Sequence, residues 1–151
     1  MYTYVTIFCL PAMPLFNAIA QVESDRGATS SNVYQIRKIY VKDVNRFGRE
    51  RYYDGDVKNK ELSEQMMRDY WYHYGAQYRV DEHKQVTYEV LARIHNGGPT
   101  GYKKASTLAY WEKVKKVLLK ELEMIGKTLD SRGRVIELNT NGNKIRKRGE
   151  G

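Results

Sequence analysis

Ala92-Arg93-Ile94-His95-Asn96-Gly97-Gly98-Pro99, then Gly101-Tyr102-Lys103-Lys104, then Thr107-Leu108-Ala109-Tyr110-Trp111-Glu112-Lys113-Val114, is the stretch that decides how this 151-residue chain is read. Val86, Val90, Leu91 and Ile94 recur at helical spacing, so residues 84–95 are predicted to form a helix. Asn96-Gly97-Gly98-Pro99 ends it, because glycine accepts the left-handed backbone of a helix C-terminus and proline cannot continue the ladder. Two adjacent glycines also let a backbone approach a ligand closely. Another helix follows over about residues 106–125, with Trp111, Val114, Leu118, Leu122 and Ile125 as its core stripe.

Upstream, Pro14 suits a helix start, and Leu15, Phe16, Ile19, Ala20 and Val22 supply an apolar face. That helix ends near residues 23–27, before the polar, turn-rich run Gly27-Ala28-Thr29-Ser30-Ser31-Asn32. Ile36, Ile39, Tyr40, Val44 and Phe47 predict a helix over 36–46, residues 48–59 a loop, and Leu62, Met66, Tyr70, Tyr74 and Tyr78 a long helix over 60–78. Downstream the character changes. Residues 132–151 hold six Lys/Arg and two Glu, and Asn141-Gly142 is a hairpin signal. The expected organisation is an apolar N-terminal segment (1–14), one domain (15–128) and a basic C-terminal tail (129–151), either a short hairpin or an unstructured arm.

Composition agrees with one folded domain: 41% hydrophobic and 29% charged residues over a length that can bury a sizeable core. Residues 3–16 are apolar and uncharged but too short to span a bilayer as a helix. They read either as a signal remnant or as a buried segment, and no Lys or Arg precedes them. Cys9 is the single cysteine, so an internal disulfide is excluded. His73, His83 and His95 lack metal-ligand spacing, and there is no phosphate-binding glycine loop, so neither a metal nor a cofactor is expected. The net charge of +8 predicts attraction to polyanions, without choosing among nucleic acid, membrane surface and bacterial wall.

One constellation could carry chemistry. Cleaving a glycosidic bond needs an acid that stays protonated near neutral pH. Glu23 follows an apolar helix face and lies near that helix's negative end, and both favour the neutral carboxyl. A Glu at a helix end is also commonly a solvated charge. Gln35, twelve positions later, can donate to and accept from a sugar acetamido group, and His95 and Asn96 can bond sugar hydroxyls.

The pattern Gln21-Val22-Glu23-Ser24, Tyr34-Gln35-Ile36-Arg37 with Tyr40 and Asp43, and the 92–114 stretch resembles the invertebrate-type lysozyme (destabilase) family of the lysozyme-like superfamily. The resemblance runs from roughly residue 17 to 117 and is strongest over 92–114. It implies an α+β, predominantly α-helical, lysozyme-like fold with reduced or absent sheet. It implies a secreted muramidase acting on peptidoglycan or a related N-acetylated polysaccharide of the anionic bacterial wall, with no membrane span and nucleic acid a weaker partner. It places Glu23 as general acid, with Tyr34, Gln35, His95, Asn96, Gly97 and Tyr102 at the sugar.

The chain departs from the family in two ways. Secreted members are rich in disulfides, and this chain can form none within itself. The family's second carboxylate, an Asp between the catalytic Glu and the Gln, has no counterpart except Asp25, which is too close to Glu23. Asp43 matches an acidic family position, though not that one, and is taken as the second catalytic candidate. The alternatives are a single-acid lytic transglycosylase and a catalytically silent wall- or chitin-binding protein.

Overall fold

In a computed structural model, residues 12–48 and 50–139 are described. The central element is α1 (Ala12–Ser24), with Leu15, Phe16, Ala18, Ile19 and Ala20 all buried. Those positions go round the helix rather than along one stripe, which marks a core helix enclosed by its neighbours. It packs on α5 (Leu108–Glu123) and on α4 (Tyr88–Gly97). Phe16 stacks on Trp71 at 5.2 Å and meets the edge of Tyr34 at 5.9 Å.

Helix α2 (Lys38–Phe47) and the 23-residue α3 (Lys60–Glu82) pack together and complete the bundle. A 3-10 turn, Asp54–Lys58, lies between them. Asn59 caps α3 by accepting from the Leu62 N–H, and His83 ends it in the left-handed conformation at φ 53°. The buried Trp71 indole donates to the Leu91 carbonyl at 2.9 Å, joining α3 to α4.

The predicted helices are present with ends shifted by a few residues. The largest extension is α3, which runs on to Glu82. Ile39 and Ile125, both expected in the core, are exposed. The sheet is reduced to β1 (Lys127–Leu129) and β2 (Val135–Glu137), paired antiparallel with Thr128 opposite Ile136. Among the described residues no strand occurs near 27–35.

The hairpin packs against the helices. Leu129 is buried and β1 packs on α5, so the first part of the tail belongs to the domain. Its turn forms around Asp130, whose carboxylate accepts from the Arg132 and Arg134 N–H groups, with Gly133 at φ 74°. Asn141-Gly142 and most of the apolar segment lie outside the described residues. At the other end α1 is already helical at Ala12, the first of the described residues. No helix among the described residues is long and apolar enough to cross a membrane.

The segment after α4 folds back onto it. Arg93 donates from Nε to the Thr107 hydroxyl at 2.8 Å, and that hydroxyl lies 2.8 Å from the Gly101 carbonyl. Lys104 caps the helix end by donating to the Gly97 carbonyl at 2.6 Å. A Cβ on Gly101 would lie 1.9 Å from the Arg93 carbonyl oxygen, so only glycine fits there. Gly101→Ala is expected to cost about 3 kcal/mol or more of unfolding free energy in urea denaturation. Gly55→Ala, where an added Cβ meets nothing within 4 Å, serves as the control and should stay within about 1 kcal/mol.

Candidate active site

Glu23 sits one residue before the end of α1, with its side chain 18% exposed. Ser24 holds the turn that follows: its hydroxyl donates to the Val33 carbonyl at 2.7 Å and accepts from the Gly27 N–H at 2.9 Å. Asp25 and Arg26 then adopt left-handed backbone, and the chain returns past α1 to Tyr34. This return brings three elements to the Glu23 carboxyl: the end of α4 through His95, the start of α5 through Tyr110, and the N-cap of α2 through Arg37.

His95 is buried. Its Nε2 lies 2.9 Å from the Tyr34 carbonyl, and its Nδ1 lies 3.5 Å from the Tyr40 hydroxyl. A carbonyl can only accept, so Nε2 carries the proton and Nδ1 is left to accept from Tyr40. Burial pushes the imidazole down to about 4, while the Tyr34 hydrogen bond opposes that shift. The 3.9 Å approach of His95 Nε2 to a Glu23 oxygen is therefore contact with a neutral ring, not an ion pair.

Desolvation raises the Glu23 pKa above its ordinary value, against opposing pulls from Tyr110 and the positive charge of Arg37. The Tyr110 hydroxyl is buried and faces this carboxyl. Among the described residues it makes no regular hydrogen bond, and the Glu23 carboxyl is the group it interacts with. Glu23 thus holds its proton to higher pH than a solvated carboxyl, and its side chain stays partly exposed.

The remaining predicted residues separate into two groups. Asn96 is half-buried and its amide meets no partner among the described residues, which leaves it available to a ligand. Gln35 is exposed at φ 51° and spends its amide N–H on the Asn32 carbonyl at 2.8 Å, leaving its oxygen free. Tyr34, His95 and Tyr102, expected at the sugar, have their polar atoms engaged by other groups of the protein. Tyr34 is fully buried and its hydroxyl donates to Glu64 at 2.6 Å. His95 has both ring nitrogens engaged inside the core. Tyr102 donates to Glu82 at 3.2 Å and packs edge-on against Tyr78, away toward the end of α3.

Packing leaves no room for a side chain at Gly97. A Cβ there would come within 2.6 Å of a Thr107 methyl, and its neighbour Gly98 takes φ 86°. Asp43 accepts from the Tyr74 hydroxyl at 3.2 Å and lies 3.6 Å from Arg46. Among the described residues no hydrogen bond or ion pair joins it to Glu23. Asp25 is exposed and accepts from Gln21. Sequence reasoning did not assign a role to Tyr110. Its one signal was its place one residue before the core Trp111, which puts it on the flank of the buried stripe.

Comparison with known proteins gives a consistent picture. The model of the Destabilase family matches residues 8–117. Invertebrate-type lysozyme 6 of Caenorhabditis elegans is 32% identical over 97 residues, covering 60% of this chain and 69% of the relative. An invertebrate-type lysozyme of Ruditapes philippinarum is 31% identical over 93 residues, and the chain spans 64% of its length. Among solved structures, a chain in the crystal structure of Aeromonas hydrophila PliI in complex with Meretrix lusoria lysozyme superimposes with a TM-score of 0.54 at 26% identity. That match covers 69% of this chain and 88% of the other.

The buried imidazole has a consequence for stability. It titrates near 6.5 when unfolded and near 4 when folded. Between those values the unfolded chain binds more protons, so this contribution is complete above pH 6.5 and is lost as the pH falls toward 4. The loss is about 3 kcal/mol. Glu23 acts with the opposite sign, because its folded carboxyl keeps its proton to higher pH than the unfolded one. Denaturant titrations of the native chain and His95→Gln should therefore diverge most at pH 7 and converge by pH 4. Parallel pH dependences would refute a buried neutral imidazole.

Proposed function

We propose that this chain, which belongs to the invertebrate-type lysozyme (destabilase) family and is a lysozyme-type glycoside hydrolase, cleaves the β-1,4 bonds of peptidoglycan with Glu23 as its general acid. The observation that carries this is the Glu23 carboxyl itself. It is desolvated at the end of α1 and faced by a buried phenol, a neutral imidazole and a single guanidinium.

In this reading Glu23 gives its proton to the glycosidic oxygen as the bond from that oxygen to the anomeric carbon breaks. The carboxylate left behind is then stabilised by Arg37 and by the Tyr110 hydroxyl. Both oppose protonation of the resting acid, and both become favourable once the proton has left. His95, held neutral, adds no second positive charge that would ionise Glu23 too early. Asn96 and the free oxygen of Gln35 contact the sugar. Tyr34, His95 and Gly97 are the scaffold behind these contacts, and Tyr102 lies toward the end of α3. Such a substrate lies outside the producing cell, so the protein works after secretion.

Asp43 is the second carboxylate in this scheme, presented from α2 and held by Tyr74 and Arg46. Its separate hydrogen bonding also supports a route with one protein acid, in which the substrate's own acetamido group or 6-hydroxyl attacks the sugar carbon. Attack by the 6-hydroxyl gives a 1,6-anhydro end, lighter by one water than a free reducing end. If Asp43 takes part, Asp43→Asn costs about 10²-fold in rate and the native products carry reducing ends. If only anhydro ends appear, and Asp43→Asn retains the native rate, the chain is a lytic transglycosylase.

The test of the acid is Glu23→Gln. This variant should keep the fold by circular dichroism and lose nearly all release of soluble fragments from peptidoglycan. Near-native lysis by the folded variant would remove Glu23 from the role. Retained binding to wall fragments by a native chain with no turnover would instead indicate a silent binder.

Tyr110→Phe tests the tuning of that acid. Removing the hydroxyl takes away stabilisation of the ionised carboxylate, so the Glu23 pKa rises. The alkaline limb of the kcat/KM profile should move to higher pH while kcat falls. A purely structural Tyr110 would change stability and leave the limb in place.

A further inference from the structure

On the flank of α2 a groove of about 520 Å³ carries a concentration of positive charge, of which only Arg46 also approaches the Asp43 carboxylate. Lys38, Lys42 and Arg46 line one wall and Arg51 lines the other, with Asp54 as the single carboxylate among the lining residues. The three cations of α2 are spaced four residues apart. They therefore stand in a row along the helix, about 6 Å from one to the next. Lys38 and Asp54 approach to 3.6 Å, but both are largely exposed and the pair is easily exchanged for another anion.

The groove is held open by its own framework. Asn45 donates to the Tyr52 carbonyl and accepts from the Tyr52 N–H, each at 2.8 Å, which ties α2 to the opposite wall. Tyr52 is buried, and its hydroxyl donates to Asp69 on α3 at 3.1 Å. Tyr53, 67% exposed, stands at the rim as an aromatic face over which an aliphatic backbone or a sugar ring can lie. The site is thus preformed, linear, cationic and open along its length.

We propose that this groove binds a phosphodiester-linked anionic polymer of the bacterial wall, of the poly(glycerol phosphate) class. A row of cations at regular spacing suits a chain carrying one charge per repeat, whereas a single phosphate would be better served by a cluster converging on one point. The basic groove would hold the enzyme on the wall while the Glu23 face works on the glycan. The choice of a wall polymer rests on the peptidoglycan reading above. The experiment reads binding apart from cleavage, so the two can fail separately.

The full chain, and Glu23→Gln to exclude turnover, is titrated with purified poly(glycerol phosphate) by calorimetry at several salt concentrations. The combined variant Lys38→Gln, Lys42→Gln, Arg51→Gln changes exposed side chains only. It should weaken binding by about tenfold or more and make the salt slope shallower by about two, from three lost phosphate contacts. Lys113→Gln, Lys116→Gln, Lys120→Gln removes the same charge from the exposed face of α5 and should have a much smaller effect.

Equal losses from both variants would mean that net charge, not the groove, binds the polymer, and would overturn the proposal. So would the absence of binding by the native chain. Equal affinity for single-stranded DNA of matched phosphate count would overturn the assignment to a wall polymer and indicate nucleic acid.

Discussion

The hydrogen bond from His95 Nε2 to the Tyr34 carbonyl, 2.9 Å long and buried, is the contact on which the candidate site depends. It joins the end of α4 to the segment that returns from α1, and Glu23 lies beside the joint. Without it, Tyr34 would have a buried carbonyl without its partner and the imidazole would lose its reason to stay in one tautomer. The bond also decides the electrostatics. An imidazole tied to a carbonyl and enclosed by Tyr40 remains neutral, and a neutral neighbour leaves the Glu23 carboxyl free to keep its proton.

The same packing explains how the domain stands without crosslinks. Cys9 is the only cysteine, so cohesion must come from burial. It comes chiefly from aromatic side chains: Phe16 on Trp71, Tyr40 on Tyr70 at 3.8 Å, and Phe47 on His73 at 3.9 Å. Several of the thirteen tyrosines are anchored at both ends, ring in the core and hydroxyl on a carboxylate, as with Tyr34 on Glu64 and Tyr74 on Asp43. Such residues contribute apolar area and direction together. Tyr34 and Tyr102, expected at the sugar, both spend their hydroxyls in this way, on Glu64 and Glu82.

Charge is divided between two faces of α2. Arg37 at its N-cap acts on Glu23, while Lys38, Lys42 and Arg46 line the groove on its flank. One short helix therefore connects the tuning of the acid with the candidate anchoring surface. Consecutive residues at the start of a helix point in different directions, so Arg37 and Lys38 can serve different sites.

The helices, their order, the near absence of sheet and the family could be read from the chain alone, because they depend on local periodicity, on breakers such as Gly97-Gly98-Pro99 and on quoted motifs. Glu23 could be singled out because an acid at the end of an apolar helix is a local feature. The hairpin of β1 and β2 was not legible, because Asp130 closes its turn through side-chain bonds that no dipeptide signal announces. Which polar side chains are engaged within the protein was decided only by tertiary structure. His95, Tyr34 and Tyr102 spend their polar atoms on partners 61, 30 and 20 residues away in the chain, and Tyr110 reaches Glu23 from another helix. Spacing along a helix reports its buried side, but hydrogen-bond partners and desolvation are set by what the other helices bring alongside.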